Sequence, residues 1–218
     1  MEKASIKKSY HHGDLKKALH AAALLLISEK GSRGFTLAEI CKRAGVSIAA
    51  PYRHYESKEA LLASLAAEGY SILDAGLQRV LQEDLSHLEK LVEMGKAYVR
   101  FAVANPSMLH LMFGSSVNKD NYAELDRAAK NTYGTLVKQV YEFLGASLDG
   151  DAVSGAPGSF GGNLARADFL SMTLWSFIHG VSMLEIDRHL NHGAPQCEEV
   201  LDRLIRHGTI AIMTGIPQ

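Results

Sequence analysis

The sequence predicts an all-α protein in which a small N-terminal unit of three short helices precedes a larger helical bundle. Apolar residues recur at intervals of three and four through most of the chain, and no segment alternates apolar with polar residues as a half-buried strand does. Capping residues and glycines divide the chain into segments of helical length. The 218 residues suffice for one large or two small domains with a buried core.

The N-terminal unit contains three predicted helices. The first runs from about 14 to 30, where apolar residues form one stripe. The second begins at Thr36, which forms a capping box with Glu39, and it ends before Gly45. The third extends from Ser47 to Tyr55. We therefore expect a first domain at residues 1–57, which includes an N-terminal arm, and a second at 58–218.

The second domain continues the helical pattern. Its first helix is predicted at 57–81, and Ser107 is expected to cap a short later helix. Five glycines within 147–162 predict a flexible loop. The other predicted helices are at about 85–104, 108–113, 119–146, 163–191 and 196–213.

Composition narrows the class of protein. Hydrophobic residues make up 47% of the chain and charged residues 22%, which is typical of a globular protein and not of a disordered one. Two cysteines are too few for a disulfide framework, and they fit a reducing compartment. The N-terminal segment lacks the apolar stretch of a signal peptide, and no apolar run there is long enough to span a bilayer. We expect a cytoplasmic protein without a membrane partner.

Charge is distributed unevenly along the chain. Residues 1–60 hold eleven lysine and arginine residues against six acidic ones, whereas the remainder carries a net charge of −6. A basic N-terminal unit on an acidic body favours contact with a polyanion.

The most informative window is residues 36–58. Two short helices are joined by a turn centred on Gly45, and Ala44 is small where the helices approach closely. This order of cap, turn and small residues is typical of a helix-turn-helix, which places its second helix in the major groove of DNA. The second helix would expose Ile48 and Ala49 to base edges, and Tyr52, His54 and Lys58 can donate hydrogen bonds to phosphates.

The same window resembles the DNA-binding head of the TetR family of bacterial repressors. The resemblance covers about residues 10–65 and rests on Thr36-Leu37, Ile40, Ala44-Gly45-Val46-Ser47, Tyr52-Arg53-His54-Tyr55, Ser57-Lys58-Glu59 and Leu61-Leu62. It implies base contacts for Ile48, Ala49 and Pro51. It implies phosphate contacts for Thr36, Ser47, Tyr52, Arg53, His54 and Lys58. Many members have Gly-Thr-Leu-Tyr where this chain has Ala-Ala-Pro-Tyr at 49–52, and a proline there is expected to tighten or tilt the helix.

The body resembles one branch of the same family. Leu111-Met112-Phe113-Gly114 and Trp175-x-x-x-His179-Gly180 are similar to the C-terminal signature of that branch. Independently of this resemblance, the helix at 163–191 is apolar nearly all round, so both of its faces need to be covered. We expect it to pair, together with the helix at 196–213, with the same helices of a second copy in a homodimer.

A binding site for a small, largely apolar effector is predicted in the body. Methionine and aromatic residues suit adaptable apolar sites, although such residues more often form core, and both interpretations stay open here. The candidate residues are Tyr98, Phe101, Met112, Phe113, Tyr133, Trp175 and His179. The expected function is a transcriptional repressor released from a near-palindromic operator by this effector.

Other functions find less support in the sequence. The nucleophile motif of a hydrolase is lacking, so we expect no enzymatic activity and no cofactor. His189, His192 and Cys197 have loose spacing and lack an evident fourth ligand, so no metal site is expected. The basic segment 7–13 is either an arm that lies along DNA or a frayed terminus. An architectural DNA-binding protein without an effector site is the main alternative.

Overall fold

The computed structural model of the chain describes residues 12–145, 163–190 and 197–215. Within these residues it contains eight α-helices and no β-strand, which confirms the all-α fold class. The helices are α1 (His12–Lys30), α2 (Leu37–Ala44), α3 (Lys58–Leu81), α4 (His87–Ala104), α5 (Pro106–Phe113), α6 (Ala123–Phe143), α7 (Asn163–Ile186) and α8 (Cys197–Thr214). The predicted loop at 147–162 and most of the N-terminal arm lie outside the described residues.

Local capping chemistry sets most helix boundaries as the sequence predicts. The Thr36 hydroxyl accepts a hydrogen bond from the Glu39 amide, and the Glu39 carboxylate accepts one from the Thr36 amide, which completes a capping box. Gly45 follows α2 with φ of +69°, and its N–H bonds to the last carbonyls of the helix. Ser57 caps α3 by accepting a hydrogen bond from the Ala60 amide at 3.1 Å.

The starts of α5 and α6 in the body differ from the prediction. α5 begins at Pro106 with Asn105 before it, and not after a Ser107 cap, because proline needs no hydrogen-bond acceptor at the first helical position. α6 begins at Ala123, since a short 3-10 turn at Lys119–Asn121 precedes it.

α7 ends at Ile186, five residues earlier than predicted. Arg188 adopts a left-handed conformation with φ of +59°, and its amide bonds to the Glu185 carbonyl. The His189 amide bonds to the Leu184 carbonyl at 2.8 Å. These two bonds form a Schellman motif in which an arginine takes the place of the usual glycine, so the sequence carries no glycine signal for this helix end.

α3 is the central element of the fold. It packs against α1 at its N-terminal end and against α4, α5 and α6 along the rest of its length, while α4 also packs against α7 and α8. The buried residues form one continuous cluster that runs from Leu19 in α1 to Met213 in α8. The proposed boundary at residue 57 therefore falls between units that share one core.

Two helical stretches are long and apolar enough to span a membrane by length and composition alone. For Lys58–Leu81, 56% of the most apolar window is buried within the fold, which is the burial expected for a central core helix. For Arg166–Ile186, only 28% of that window is buried. The exposed part of α7 needs a separate explanation.

Gly45 provides a test of the turn after α2. We expect Gly45→Ala to lower the free energy of unfolding by about 1–2 kcal/mol, because a Cβ atom disfavours the left-handed conformation. Crowding is not the cause, since no atom lies within 4 Å of the added Cβ. Gly76 within α3 has the same open space and provides the control. Gly76→Ala should stabilise the protein by about 0.5–1 kcal/mol in urea denaturation, and equal stability of the two variants would contradict this account.

Candidate nucleic-acid interface and candidate ligand site

The recognition segment, residues Ser47–Tyr55, is tighter than the α-helix that the sequence predicts. The Ser47 carbonyl accepts a hydrogen bond from the Ala50 amide at 3.0 Å, and a 3-10 turn follows at Pro51–Arg53. Pro51 has no N–H to donate to the Ser47 carbonyl, so the i to i−4 bond of an α-helix is replaced by one between residues three apart. The predicted third helix is thus corrected to a turn and a 3-10 segment.

Most of the predicted DNA-contacting residues lie on one exposed segment. Ile48 and Tyr52 are large side chains with 63% and 59% of their surface exposed. The exposed members of the predicted set are Thr36, Ser47, Ile48, Ala49, Tyr52, Arg53 and His54. Pro51 is buried, so its ring is not exposed for the base contact that the resemblance implies, and that contact stays a prediction. Exposed apolar and polar groups remain on either side of it.

Lys58 lies at the start of α3 but faces the loop before α2. Its ammonium donates a hydrogen bond to the Phe35 carbonyl at 2.6 Å and lies 4.0 Å from the centre of the Phe35 ring. Burial lowers the pKa of Lys58. Lys58 therefore ties α3 to the residue that precedes Thr36, a contact that the sequence pattern does not reveal.

Thr36 is exposed, but its hydroxyl is engaged within its own cap. It donates to the Glu39 carboxylate at 3.0 Å, and Glu39 also pairs with Lys30 at 2.6 Å. The hydrogen bond from Lys30, followed by that from the Thr36 amide, lowers the pKa of Glu39 to about 2. To donate to a phosphate, the Thr36 hydroxyl would have to give up its hydrogen bond to the Glu39 carboxylate.

A buried histidine fixes the end of the recognition segment. His20 of α1 is 4% exposed, with Nδ1 2.7 Å from a Glu68 carboxylate oxygen of α3 and Nε2 3.1 Å from the Tyr55 hydroxyl. Burial lowers the pKa of His20 against the opposing effect of Glu68. His20 lies 35 positions from Tyr55 and 48 positions from Glu68 in the sequence. Only the fold brings the three residues together, so the sequence pattern does not reveal this network.

Four of the predicted ligand-site residues meet in one aromatic cluster, which we define as Tyr70, Tyr98, Phe113, Trp175 and His179. The Trp175 and His179 rings stack with centroids 5.4 Å apart, and the Phe113 ring lies 4.8 Å from His179. The Tyr98 hydroxyl is 2.8 Å from His179 Nδ1. Burial lowers the pKa of His179. The cluster joins side chains from α3, α4, α5 and α7.

Tyr70 is the member of the aromatic cluster that the sequence analysis missed. Its ring meets Phe113 edge-on at 5.6 Å, and its hydroxyl donates to the Met112 carbonyl at 3.0 Å. The Lys119 ammonium donates to the same hydroxyl at 2.8 Å. Tyr70 lies on α3, the helix that also carries Lys58, so α3 contacts both Phe35 before α2 and the aromatic cluster.

The remaining predicted ligand-site residues lie beside the aromatic cluster. Met112 adjoins it through its carbonyl, whereas Phe101 and Tyr133 make no ring contact with it in the described structure. Burial raises the pKa of Tyr133 to about 12. Clefts of about 590 and 320 Å³ lie where the N-terminal unit meets the body, and neither is lined by the aromatic cluster. The rings therefore pack on each other in this state.

Arg33 forms a second connection between the N-terminal unit and the body. It donates hydrogen bonds to the carbonyl and the hydroxyl of Ser115, each at 2.9 Å. Ser115 follows Phe113 of the aromatic cluster by two residues. The loop between α1 and α2 is thereby joined to the end of α5.

α7 and α8 leave large apolar side chains uncovered. Phe169 is 59% exposed on α7 and Val200 is 58% exposed on α8, and Leu184 and Leu204 are exposed as well. Isolated exposed apolar residues are common, but here they occur on two helices that pack against each other. The described residues contain no group of three or more histidine, cysteine, aspartate or glutamate side chains that could hold a metal, and His192 lies outside them.

Both halves of the chain match known protein families. The profile described as "Bacterial regulatory proteins, tetR family" matches residues 19–65. The profile described as "Tetracyclin repressor-like, C-terminal domain" matches residues 91–207. The second match alone covers more than half of the chain.

Curated relatives include nucleoid occlusion factors. The chain is 31% identical over 124 residues to the nucleoid occlusion factor SlmA of Vibrio vulnificus strain YJ016, which covers 57% of this chain and 62% of the relative. It is 30% identical over 103 residues to SlmA of Aliivibrio fischeri strain MJ11, which covers 47% and 53%. The match spans less than two thirds of the length of these relatives.

Solved structures share the fold over nearly the whole chain. A protein of unknown function from Rhodococcus sp. RHA1 is 27% identical with a TM-score of 0.72, and the match covers 97% of this chain and 100% of that one. The TetR family transcriptional regulator PfmR of Thermus thermophilus is 17% identical with a TM-score of 0.64, covering 93% and 100%. FadR of Bacillus subtilis, solved with stearoyl-CoA, is 15% identical with a TM-score of 0.68, covering 92% and 99%.

His20 predicts how stability depends on pH. Because its pKa is lowered below 6.5 in the folded protein, the unfolded chain binds more protons as the pH falls below that value. The stability that the neutral ring provides is complete above about pH 6.5 and is lost as pH falls toward the lowered pKa. Urea denaturation between about pH 8 and about pH 5 should show a smaller loss of stability for His20→Gln than for the unmodified protein. Parallel pH dependences would refute this assignment.

Proposed function

Because the chain belongs to the tetR family of bacterial regulatory proteins and is a DNA-binding transcriptional regulator, we propose that it is a cytoplasmic repressor whose homodimer leaves a near-palindromic operator when a small apolar effector binds. One observation carries this proposal. A single helix, α3, contacts Phe35 before α2 through Lys58 and contributes Tyr70 to the aromatic cluster. The same helix reaches Tyr55 of the recognition segment by way of Glu68 and His20.

The exposed part of the recognition segment is the proposed base-reading surface. Ile48 and Ala49 present apolar groups that suit thymine methyls and close approach to base edges. Tyr52, Arg53 and His54 are exposed beside them and are proposed to donate to phosphates, with Ser47 before them. Lys58 and Thr36 are proposed to support this surface by ordering the start of α2, with any phosphate contact secondary to that role.

The exposed apolar side chains of α7 and α8 are the proposed dimer face. A second copy placed by two-fold symmetry would cover Phe169 and Leu184 with the same helices and form a four-helix interface. This pairing accounts for an apolar α7 that is only partly buried within one chain. The proposed interface uses α7 (Asn163–Ile186) and α8 (Cys197–Thr214) as observed, in place of the predicted helices at 163–191 and 196–213.

The aromatic cluster is the proposed effector site. Phe113 and Trp175, with Tyr98 and His179, offer an apolar surface with a few polar groups, the usual character of small-molecule sites. FadR of Bacillus subtilis, which has the same fold, was solved in complex with stearoyl-CoA, a ligand that carries a long apolar chain, and this supports an effector with an apolar part. The motif Trp175-x-x-x-His179-Gly180 is proposed to mark the branch of the family to which the chain belongs.

Release from DNA is proposed to follow a tilt of α3. An effector that separates Phe113 from Tyr70 changes the packing of α3 in the body, and Arg33 transmits movement of the segment after Phe113 to the loop before α2. A shift of a few ångströms would break the match of two recognition segments to half-sites ~34–36 Å apart. The effector has to bind the released conformation more tightly for this to occur.

An architectural DNA-binding role is the second candidate function. The curated relatives named nucleoid occlusion factor SlmA favour it, because that name does not describe gene regulation. The two functions differ in the ratio of specific to non-specific DNA affinity. A repressor binds its operator roughly 10³–10⁷ times more tightly than random DNA.

Selection of bound fragments from random-sequence DNA tests the proposed function. We expect the selected sequences to share a near-palindrome with half-sites about one helical turn apart, because a two-fold dimer presents two recognition segments. The variant Phe169→Glu, which places a charge in the proposed dimer face, should instead select single half-sites. Selection of a single asymmetric site by the unmodified protein, or of no sequence at all, would count against the proposal.

Two substitutions in the recognition segment should have different effects on DNA affinity. Arg53→Ala should weaken binding to operator and to random DNA alike, and should reduce the slope of log affinity against log salt by about 0.9, the value for one phosphate contact. Ala49→Leu should change the sequence preference, because it alters a side chain proposed to meet base edges. Lys138→Ala, at an exposed position of α6 outside both the recognition segment and the proposed dimer face, is the control. Uniform losses for Ala49→Leu on every sequence would remove that residue from the base-reading surface.

A further inference from the structure

We propose that the effector carries an anionic group, most simply a carboxylate, on an apolar body, and that Lys119 binds this group at the edge of the aromatic cluster. This inference rests on the proposed function, since it names the chemical class of the effector for the same site. It depends on the position and the bonding of Lys119, which the sequence analysis did not single out.

Lys119 places a positive charge against aromatic rings. Its ammonium donates to the Tyr70 hydroxyl at 2.8 Å and lies 5.2 Å from the Tyr70 ring centre and 5.5 Å from that of Phe113. The side chain is half-buried, and burial lowers the pKa of Lys119. A cation over aromatic rings gains some stabilisation, but less than desolvation of the ammonium costs when no anion is present.

No carboxylate in the described part of the chain forms a salt bridge with Lys119. Asp126 is the acidic residue that acts on it electrostatically, and this carboxylate is already bonded to Lys130 at 2.7 Å. Lys119 therefore retains N–H groups that can donate hydrogen bonds to a ligand oxygen.

Lys96 is another partly buried lysine of this fold, and its ammonium is paired with carboxylates. Its side chain is 13% exposed, and its ammonium pairs with Glu93 at 3.1 Å and with Asp202 at 2.9 Å. These two carboxylates raise the pKa of Lys96, whereas the pKa of Lys119 is lowered. The contrast indicates that the charge of Lys119 lacks a partner that a bound anion would supply.

The apolar part of the effector has adaptable neighbours. Met108 and Met112 lie directly over Gly69 of α3, with both sulfur atoms under 3.0 Å from the place where a Cβ of residue 69 would lie. Unbranched methionine side chains change rotamer readily and can open space beside Phe113. An anion on Lys119 would thus lie at one end of an apolar site bounded by the aromatic rings.

Binding of an anion at Lys119 also affects the two connections between the body and the N-terminal unit, which are α3 and the Arg33–Ser115 hydrogen bonds. Drawing the ammonium away from Tyr70 changes a contact of α3, and Lys119 lies four residues after Ser115, the acceptor of Arg33. Charge recognition and release from DNA are thereby linked through the same short segment, residues 114–119.

Two fluorescent probes with the same ring system test this inference on the full chain. 8-Anilinonaphthalene-1-sulfonate carries an anion, and N-phenyl-1-naphthylamine is its neutral counterpart. Trp175 is the single tryptophan of the chain, so quenching of its emission reports binding at the aromatic cluster. Affinities are measured for the unmodified protein, for Lys119→Met, and for the control Lys138→Met, which removes an exposed lysine of α6.

We expect Lys119→Met to lower the affinity for the anionic probe by about tenfold or more, because a charge-assisted hydrogen bond is lost. The affinity for the neutral probe should change by no more than about twofold. Lys138→Met should affect neither. In NMR titrations, the anionic probe should raise the pKa of the Lys119 ammonium and the neutral probe should not.

Unchanged affinity of the anionic probe in Lys119→Met, or equal losses for both probes, would overturn the assignment of Lys119. If the neutral probe still bound and lowered operator affinity, the proposed function would stand without the anion-binding role of Lys119. Failure of both probes to quench Trp175 would overturn the effector site itself.

Discussion

The packing of α3 at the centre of the fold is the constraint on which the rest of the structure depends. Apolar side chains recur along its whole length, and α1, α4, α5 and α6 pack against the face that carries them, while Ser71, Ile72 and Arg79 stay exposed. Because one core cluster runs along it from the N-terminal unit into the body, the two parts cannot move independently without disturbing α3. This shared central helix is the physical basis of the proposed communication between the DNA-binding surface and the effector site, with Lys58 at its start and Tyr70 at its middle.

The sequence predicted the fold class and the boundaries that depend on local chemistry. Thr36, Gly45 and Ser57 act within one turn of their own positions, so their capping roles can be read directly from neighbouring residues. The end of α7 could not be read in this way, because Arg188 adopts a backbone conformation usually reserved for glycine. The extra helical residues expected after 186 followed from that missing signal.

The candidate site was predictable in part, and the limit was set by separation along the chain. The aromatic residues Tyr98, Phe113, Trp175 and His179 were identified by type, and they pack together. No sequence period relates Tyr70 or Lys119 to them, since these residues come from α3 and from a short 3-10 turn. The His20–Tyr55–Glu68 network and the Lys58–Phe35 contact are likewise products of tertiary packing. Cavities and exposed faces depend on that packing too, so the sequence could predict an apolar α7 but not which of its side chains stay exposed.

Pro51 has a further consequence for DNA recognition. Its ring fixes one backbone torsion in a segment of nine residues, and that ring is buried. The free protein therefore samples few alternative backbone arrangements between Ser47 and Tyr55, so less conformational entropy is lost when these residues meet a duplex. If this segment reads bases as proposed, a restricted backbone would also tolerate poor matches badly, because it reshapes less around an unfavourable base step.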